Sequence, residues 1–131
     1  MTRQKRPLLF HATEFLCGGA AYGMIEVLWR GYTHFSMLLA GGICFWILCR
    51  LSEKSAHWLP LSIMGGLCIT AVELITGCIV NLWLGWGVWD YSGRAFHAWG
   101  QVCPDFSIIW CVLSCIVILC GKAVRRIRVK G

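Results

Sequence analysis

The apolar and polar positions along the chain alternate in long blocks. Four apolar runs, about residues 8–29, 35–50, 59–83 and 106–121, are separated by short polar joints. A helix needs about 20 apolar residues to cross a bilayer. The first and third runs reach that length. The second and fourth are shorter, and the flanking long side chains can make up the difference by reaching toward the headgroups. The pattern predicts an all-α membrane protein with four transmembrane helices in a single domain spanning residues 1–131.

The composition agrees, with 58% of residues hydrophobic. The net charge of +6 changes the picture only through its distribution. Arg3, Lys5 and Arg6 precede the first run, Arg50 and Lys54 follow the second, and Lys122, Arg125, Arg126, Arg128 and Lys130 follow the fourth. With both termini inside, ten of the twelve cations are cytoplasmic and only Arg30 and Arg94 are outside, as the positive-inside rule requires. The cations thus mark helix ends, with no continuous nucleic-acid-binding face. Residues 122–131 read as a basic cytoplasmic tail suited to anionic lipid. The basic start resembles a signal-peptide n-region, but His11 and Glu14 interrupt the run behind it, which also outlasts an h-region. The nine cysteines lie mostly in or beside apolar helices, where Cys acts as a small hydrophobe, and no disulfide framework is expected.

The apolar pattern also repeats. Gly19, Gly23 and Glu26 in the first run match Gly66, Thr70 and Glu73 in the third, at one offset. Spacings of four and three place each set on one helix face, and small residues let helices approach closely in lipid. The second and fourth runs match without gaps, Phe35–Cys49 on Phe106–Cys120, with six identities in fifteen positions. A duplicated two-helix hairpin follows, and the stripes Gly19/Gly23 and Gly66/Thr70 are expected to bring the first and third helices together. The second hairpin carries 24 extra residues around Val80 to Cys103, crowded with Trp83, Trp86, Trp89, Tyr91 and Trp99. This segment is either an interfacial aromatic belt or a re-entrant lid over the carboxylates. Irregular backbone at membrane depth must be buried or line water.

The candidate chemistry centres on Glu26 and Glu73. A carboxylate inside an apolar helix has to be paired, protonated or hydrated. At 1.5 Å per residue, Glu26 sits roughly 27 Å above Leu8 and Glu73 roughly 21 Å above Leu59, both in the outer half of the bilayer. Arg30, one turn beyond Glu26, is placed to pair with it. Gly77 stands where the third run would need a matching cation, so Glu73 requires another partner, for which Arg94 is a candidate. His34 and an Asp90/Arg94 pair add polar groups on the outer side. This set supports either a site for a cation, proton or polar solute or a structural ion network. His97, Cys103, Asp90 and Asp105 match no strong metal-ligand spacing. No phosphate-cradling GxxxxGK[ST] string occurs, and no nucleophile–base pairing is visible. No cofactor or metal is expected.

Several of these residues carry a resemblance. Glu26-x3-Arg30-Gly31, His34-Phe35-Ser36-Met37 and Gly41-Gly42-Ile43-Cys44-Phe45 resemble the first half of a family of small bacterial integral membrane proteins, the putative ABC transporter permeases of type IV. Glu73-Leu74-Ile75-Thr76-Gly77, Val80-Asn81 and Val88-Trp89-Asp90-Tyr91-Ser92 are similar to its second half, followed by Gly100-Gln101-Val102-Cys103, Phe106-Ser107 and Trp110. His97 stands where the family pattern has Asn. The resemblance covers about Glu14 to Ser114. It implies a multi-pass protein of the bacterial plasma membrane and carries over Asn81, Trp89, Asp90, Tyr91 and His97 as site residues beside Glu26, Arg30, His34, Glu73 and Arg94.

The expected function is a permease-like membrane subunit, not an enzyme, that binds or passes a small polar solute or ion at the intramembrane carboxylates. Gly19, Gly23, Gly66, Thr70 and Gly77 are expected to pack the helices. Four short helices barely enclose a pathway, so a homo-oligomer or a separate energising subunit is the expected partner, besides the lipid bilayer. The alternatives are an accessory or scaffold membrane protein with a structural ion network and, more remotely, an intramembrane enzyme using the carboxylates and His97 as acid and base.

Overall fold

A computed structural model describes residues 6–130. Arg3 and Lys5, part of the basic N-terminal flank, lie outside the described residues, as does Gly131. Four α-helices follow one another: α1 (Leu8–Arg30), α2 (Phe35–Ser52), α3 (Trp58–Gly77) and α4 (Pro104–Lys130). A π-helical turn, Cys78–Trp83, continues α3 without a break. No β-strand forms among the described residues, and the one isolated bridge joins Ala98 to Val102.

Local chemistry sets the helix ends. Gly31 closes α1 in the left-handed conformation (φ 82°), and its N–H bonds Val27 O. His34 opens α2, its Nδ1 accepting from the Ser36 backbone N–H at 3.2 Å. His57 opens α3 in the same way, accepting from the Leu59 N–H at 3.3 Å. The last apolar run stops at Gly121, but α4 continues to Lys130, because Lys, Ala and Arg are good helix formers and no Pro intervenes. Among the described residues, three helices are long and apolar enough to cross a membrane: α2, α3 with its π turn, and α4. The apolar content of α1 is diluted by His11, Thr13, Glu14, Tyr22 and three glycines.

The chain forms two compact units that divide within α2, one up to Trp46 and one from Ile47 on. In the first, α1 meets the start of α2 backbone to backbone. A Cβ on Gly19 would lie 2.7 Å from Leu38 O, and one on Gly18 would lie 3.1 Å from Gly41 O. Trp46 Nε1 donates to His11 Nδ1 at 3.0 Å. In the second unit α3 packs on α4. A Cβ on Gly66 would lie 2.8 Å from Cys111 Cα, and one on Gly65 would lie 2.9 Å from Ser114 Cβ. Thr70 and Ser107 share a hydroxyl hydrogen bond of 3.0 Å. The end of α2 completes this core, with Leu48 against Gly65 and Ser52 against Gly121. Leu48, Leu51, Leu61, Ile69 and Ile118 are buried there.

Both small-residue stripes are therefore filled by the partner helix of their own hairpin. Gly19 and Gly23 take up Leu38 of α2, and Gly66 takes up Cys111 of α4. The register also departs from the sequence match. That match pairs Leu38 and Gly41 with Ile109 and Val112. In space, the residues facing the corresponding glycines are Cys111 and Ser114, each two positions further on. The hairpins share a mode of crossing but not the register of the aligned residues.

Candidate functional site

Glu73 lies on the face of α3 that also carries Gly66, Thr70 and Gly77, and only 7% of its surface is exposed. Two neutral donors reach its carboxylate. Tyr91 Oη donates to Oε1 at 2.8 Å, and Trp110 Nε1 donates to Oε2 at 3.0 Å. Tyr91 comes from the connection between α3 and α4, and Trp110 from α4 itself. The Tyr91 ring stacks on Phe106 with centroids 4.9 Å apart and planes within 14°, and Phe106 in turn meets Trp110 at 6.0 Å. The aromatic groups keep water away, and their O–H and N–H offset the cost of removing the carboxylate from it.

The Trp-rich connection reaches Glu73 because it is tied to the end of α3. The π turn carries Asn81, whose side chain binds the connection at both ends. Asn81 Nδ2 donates to Gln101 Oε1 at 2.7 Å, and its Oδ1 accepts from the Val88 N–H at 2.6 Å. Gln101 is nearly sealed, at 3% exposure. Its backbone oxygen accepts from Trp89 Nε1 at 3.0 Å, and its Nε2 donates to Trp99 O at 2.9 Å. Gly77 lies directly beneath: a Cβ there would come within 2.9 Å of the Trp89 ring. A π turn inserted in an α-helix often marks a functional position; this one presents Asn81 to the connection.

The next turn is held as tightly. Tyr91 N–H bonds Gly100 O at 2.7 Å, and the Gly100 N–H bonds His97 Nδ1 at 2.9 Å. Gly100 needs its φ of 70°, and Phe96 and Trp99 adopt left-handed φ values of 58° and 50° beside it. Only glycine takes that region without a steric cost; the Trp99 backbone is held there through its oxygen, which accepts from Gln101 Nε2. Asp90 accepts from both the hydroxyl and the backbone N–H of Ser92. The hydroxyl first, then the N–H, hold the Asp90 carboxyl below the usual carboxylate range, with a smaller pull from His97. Arg94 turns to Asp105, at 3.4 Å, and lies 4.8 Å over the Phe106 ring. The anticipated Asp90/Arg94 pair is replaced by these separate contacts, and the donors to Glu73 are Tyr91 and Trp110.

Glu26, in the other unit, is served by ionic chemistry. Its Oε2 accepts from Arg30 Nη2 at 3.2 Å and from Thr33 Oγ1 at 3.1 Å. Arg30 also lies 4.7 Å over the Tyr32 ring. His34 Nδ1 is engaged with Ser36 Oγ at 2.8 Å. Of the residues singled out in the sequence, Glu73, Asn81, Trp89 and Tyr91 gather with Gly77 in one network, and Glu26 gathers with Arg30. Asp90, Arg94, His97 and His34 hold turns and helix ends. Gln101 and Trp110 were not among the expected site residues; their only signal was a place in the family-like strings around them.

The family model described as "Putative ABC-transporter type IV" matches residues 26–128. The chain belongs to this family. The match takes in Glu26, Glu73, the Asn81–Gln101 clamp and the whole Trp-rich connection of this type IV family member. No curated protein and no solved structure is a significant match to the chain.

Proposed function

We propose that this chain is a permease-like membrane subunit in which Glu73 is the polar site for a small polar solute or ion, covered by the connection between α3 and α4. The observation that carries the reading is the Glu73 carboxylate, buried in an apolar, span-length helix and reached by a donor from an irregular segment. Intramembrane carboxylates are costly and are kept mainly for binding or relay. A ligand bearing a positive charge or several donors would displace the Tyr91 O–H or the Trp110 N–H and take over its bond. Family membership supports the transport setting and association with an energising subunit or with further copies.

The same reading takes α1 as a fourth span, with its Glu26–Arg30 pair near the outer end, and puts both termini on the cytoplasmic side of a bacterial plasma membrane. The cation distribution supports it. A reporter active only in the cytoplasm should then give signal when fused at Gly131 and none when inserted at Gly93. The reverse pattern contradicts this topology.

A second reading is favoured by one fact: both Glu73 oxygens already have partners within the fold. On that reading the carboxylate pins the connection down and the protein is an accessory. Intrinsic tryptophan fluorescence of the purified protein separates the two, because Trp110 touches the carboxylate. Titration with inorganic cations, amino acids and polyamines should give a saturable change for at least one solute, lost in Glu73→Gln. A response that survives unchanged in Glu73→Gln places binding elsewhere.

A further inference from the structure

The end of α4 is a charged surface that neither the carboxylate site nor the transport reading uses. Past Gly121 the helix continues for more than two turns and carries Lys122, Arg125, Arg126, Arg128 and Lys130. Lys122 Nζ donates to Lys54 O at 2.7 Å, and a Cβ on Gly121 would lie 2.8 Å from Ser52 Cβ. The turn between α2 and α3 therefore sits beside the root of this extension. Residues 50–57 and 122–130 together hold seven cations, Arg50 and Lys54 with the five of α4, against the single carboxylate of Glu53. Glu53 is engaged by Arg50 at 3.4 Å.

The first part of the extension is also two-faced. At 100° per residue, Lys122, Arg125 and Arg126 fall on one side and Ala123, Val124 and Ile127 on another, with Arg128 and Lys130 flanking the apolar side and Val129 among the cations. Val124 is 48% exposed and Ile127 71%. The apolar side is in line with Ile109, Val112 and Ile116, which are exposed along the span-length part of α4. An apolar strip that runs unbroken from a membrane-spanning helix into its cationic end holds that end in the boundary layer. The apolar side chains face acyl chains there, and the guanidinium groups reach phosphate height.

From this charge complementarity and continuity we propose that the end of α4, with the adjoining α2–α3 turn, binds the headgroups of anionic phospholipids. The exposed Arg126 supplies the principal contact, and the half-buried Arg125 beside it adds to the charge. Guanidinium forks match phosphate oxygens in geometry as well as charge. Each cation near an anionic surface contributes on the order of 1 kcal/mol, so losing two corresponds to about a thirty-fold weaker interaction. The proposal is independent of Glu73.

The test is a lipid titration of the purified full chain in detergent by native mass spectrometry, comparing phosphatidylglycerol with phosphatidylcholine of the same acyl chains. Phosphatidylglycerol is expected to bind at least ten-fold more tightly. Arg125→Gln/Arg126→Gln should weaken it about thirty-fold while leaving phosphatidylcholine unchanged. Arg125→Lys/Arg126→Lys should retain most of the preference, and Arg94→Gln, at the other end of α4, all of it. If the double Gln variant loses helical content, the exposed single variants Arg126→Gln and Lys130→Gln carry the comparison, each with a several-fold loss. Equal binding of the two lipids overturns the proposal, as does an unchanged preference in the Gln variants. Displacement of bound phosphatidylglycerol by millimolar inorganic phosphate also overturns it, because the site would then be one for free phosphate.

Discussion

Tyr91 Oη donates to Glu73 Oε1 at 2.8 Å, joining a residue of the irregular α3–α4 connection to a carboxylate eighteen positions earlier in an apolar helix. The bond sets the depth of the connection, because Glu73 is about one and a half turns before the π turn at the end of α3. Asn81 and Gln101 fasten the connection at its base and Tyr91 fastens its middle.

Tyr91→Phe removes that fastening and keeps the ring stack on Phe106. A hydrogen bond to a charged acceptor is worth about 1.5–3 kcal/mol, and a loss of stability in that range is expected. Amide hydrogen exchange should rise in residues 84–100 and stay unchanged in the α1–α2 unit. Exchange that rises nowhere means that the bond does not hold the connection.

Glu26→Gln should destabilise the protein more than Glu73→Gln. The Glu26 carboxylate is an ionic partner of Arg30 and also accepts from Thr33, and Gln offers Arg30 no charge. At position 73 the Gln oxygen can accept from Trp110 and its NH2 can donate to the Tyr91 hydroxyl oxygen, so both bonds survive. Thermal melts of the two variants in detergent should show the larger drop for Glu26→Gln, and the opposite order would contradict the ionic assignment.

Gly66→Leu should separate α3 from α4, because a Cβ there meets the Cys111 backbone, which cannot rotate away. Overpacking of this kind costs about 1–3 kcal/mol or more. Gly93→Ala is the matched control, since nothing lies within 4 Å of its added Cβ. Detergent-solubilised Gly66→Leu should insert but melt earlier than the parent, and Gly93→Ala should melt with it.

The helices were legible because their cause is local: apolar length, the glycine after α1 and the absence of breakers within each run. The sequence also posed the right question about Glu73, that something must face it. Its partners could not be read because Tyr91 and Trp110 are aromatic, and in a membrane protein such residues look like interfacial anchors. Their O–H and N–H reach the carboxylate only once the connection has folded back, which no local period records. Arg94 was the more obvious donor by charge, but Asp105 and the Phe106 ring hold it where it is. The glycine stripes mark the faces where α1 meets α2 and α3 meets α4, whereas the sequence pattern set the first and third helices against each other. Small size signals that a backbone approaches, and the hairpin partner is the helix that a short joint delivers first. The role of His34 was local and readable in principle, since a polar side chain two residues before Ser36 suits a helix start.

Asp90 makes the connection sensitive to acid. Its folded carboxyl titrates below the ordinary value of 3.8 because Ser92 donates to the charged form. A depressed carboxylate contributes stability above the unfolded pKa, and that contribution is lost as pH falls through the folded pKa. The change therefore lies below about pH 4 and leaves neutral pH untouched. Ser92→Ala should raise the Asp90 titration midpoint toward its ordinary value, as read by carbon NMR of the labelled carboxyl. A midpoint that stays put removes Ser92 as the cause.

On the proposed reading, the Glu73 carboxylate does more than hold the fold. The most direct measurement is solute-dependent thermal stabilisation of the parent protein and Glu73→Gln, side by side, over a panel of inorganic cations, amino acids and polyamines. At least one solute should raise the melting temperature of the parent, Glu73→Gln should melt close to the parent without solute, and the solute should no longer stabilise it. Equal stabilisation of both proteins, or no stabilisation of the parent by any member of the panel, would contradict this reading.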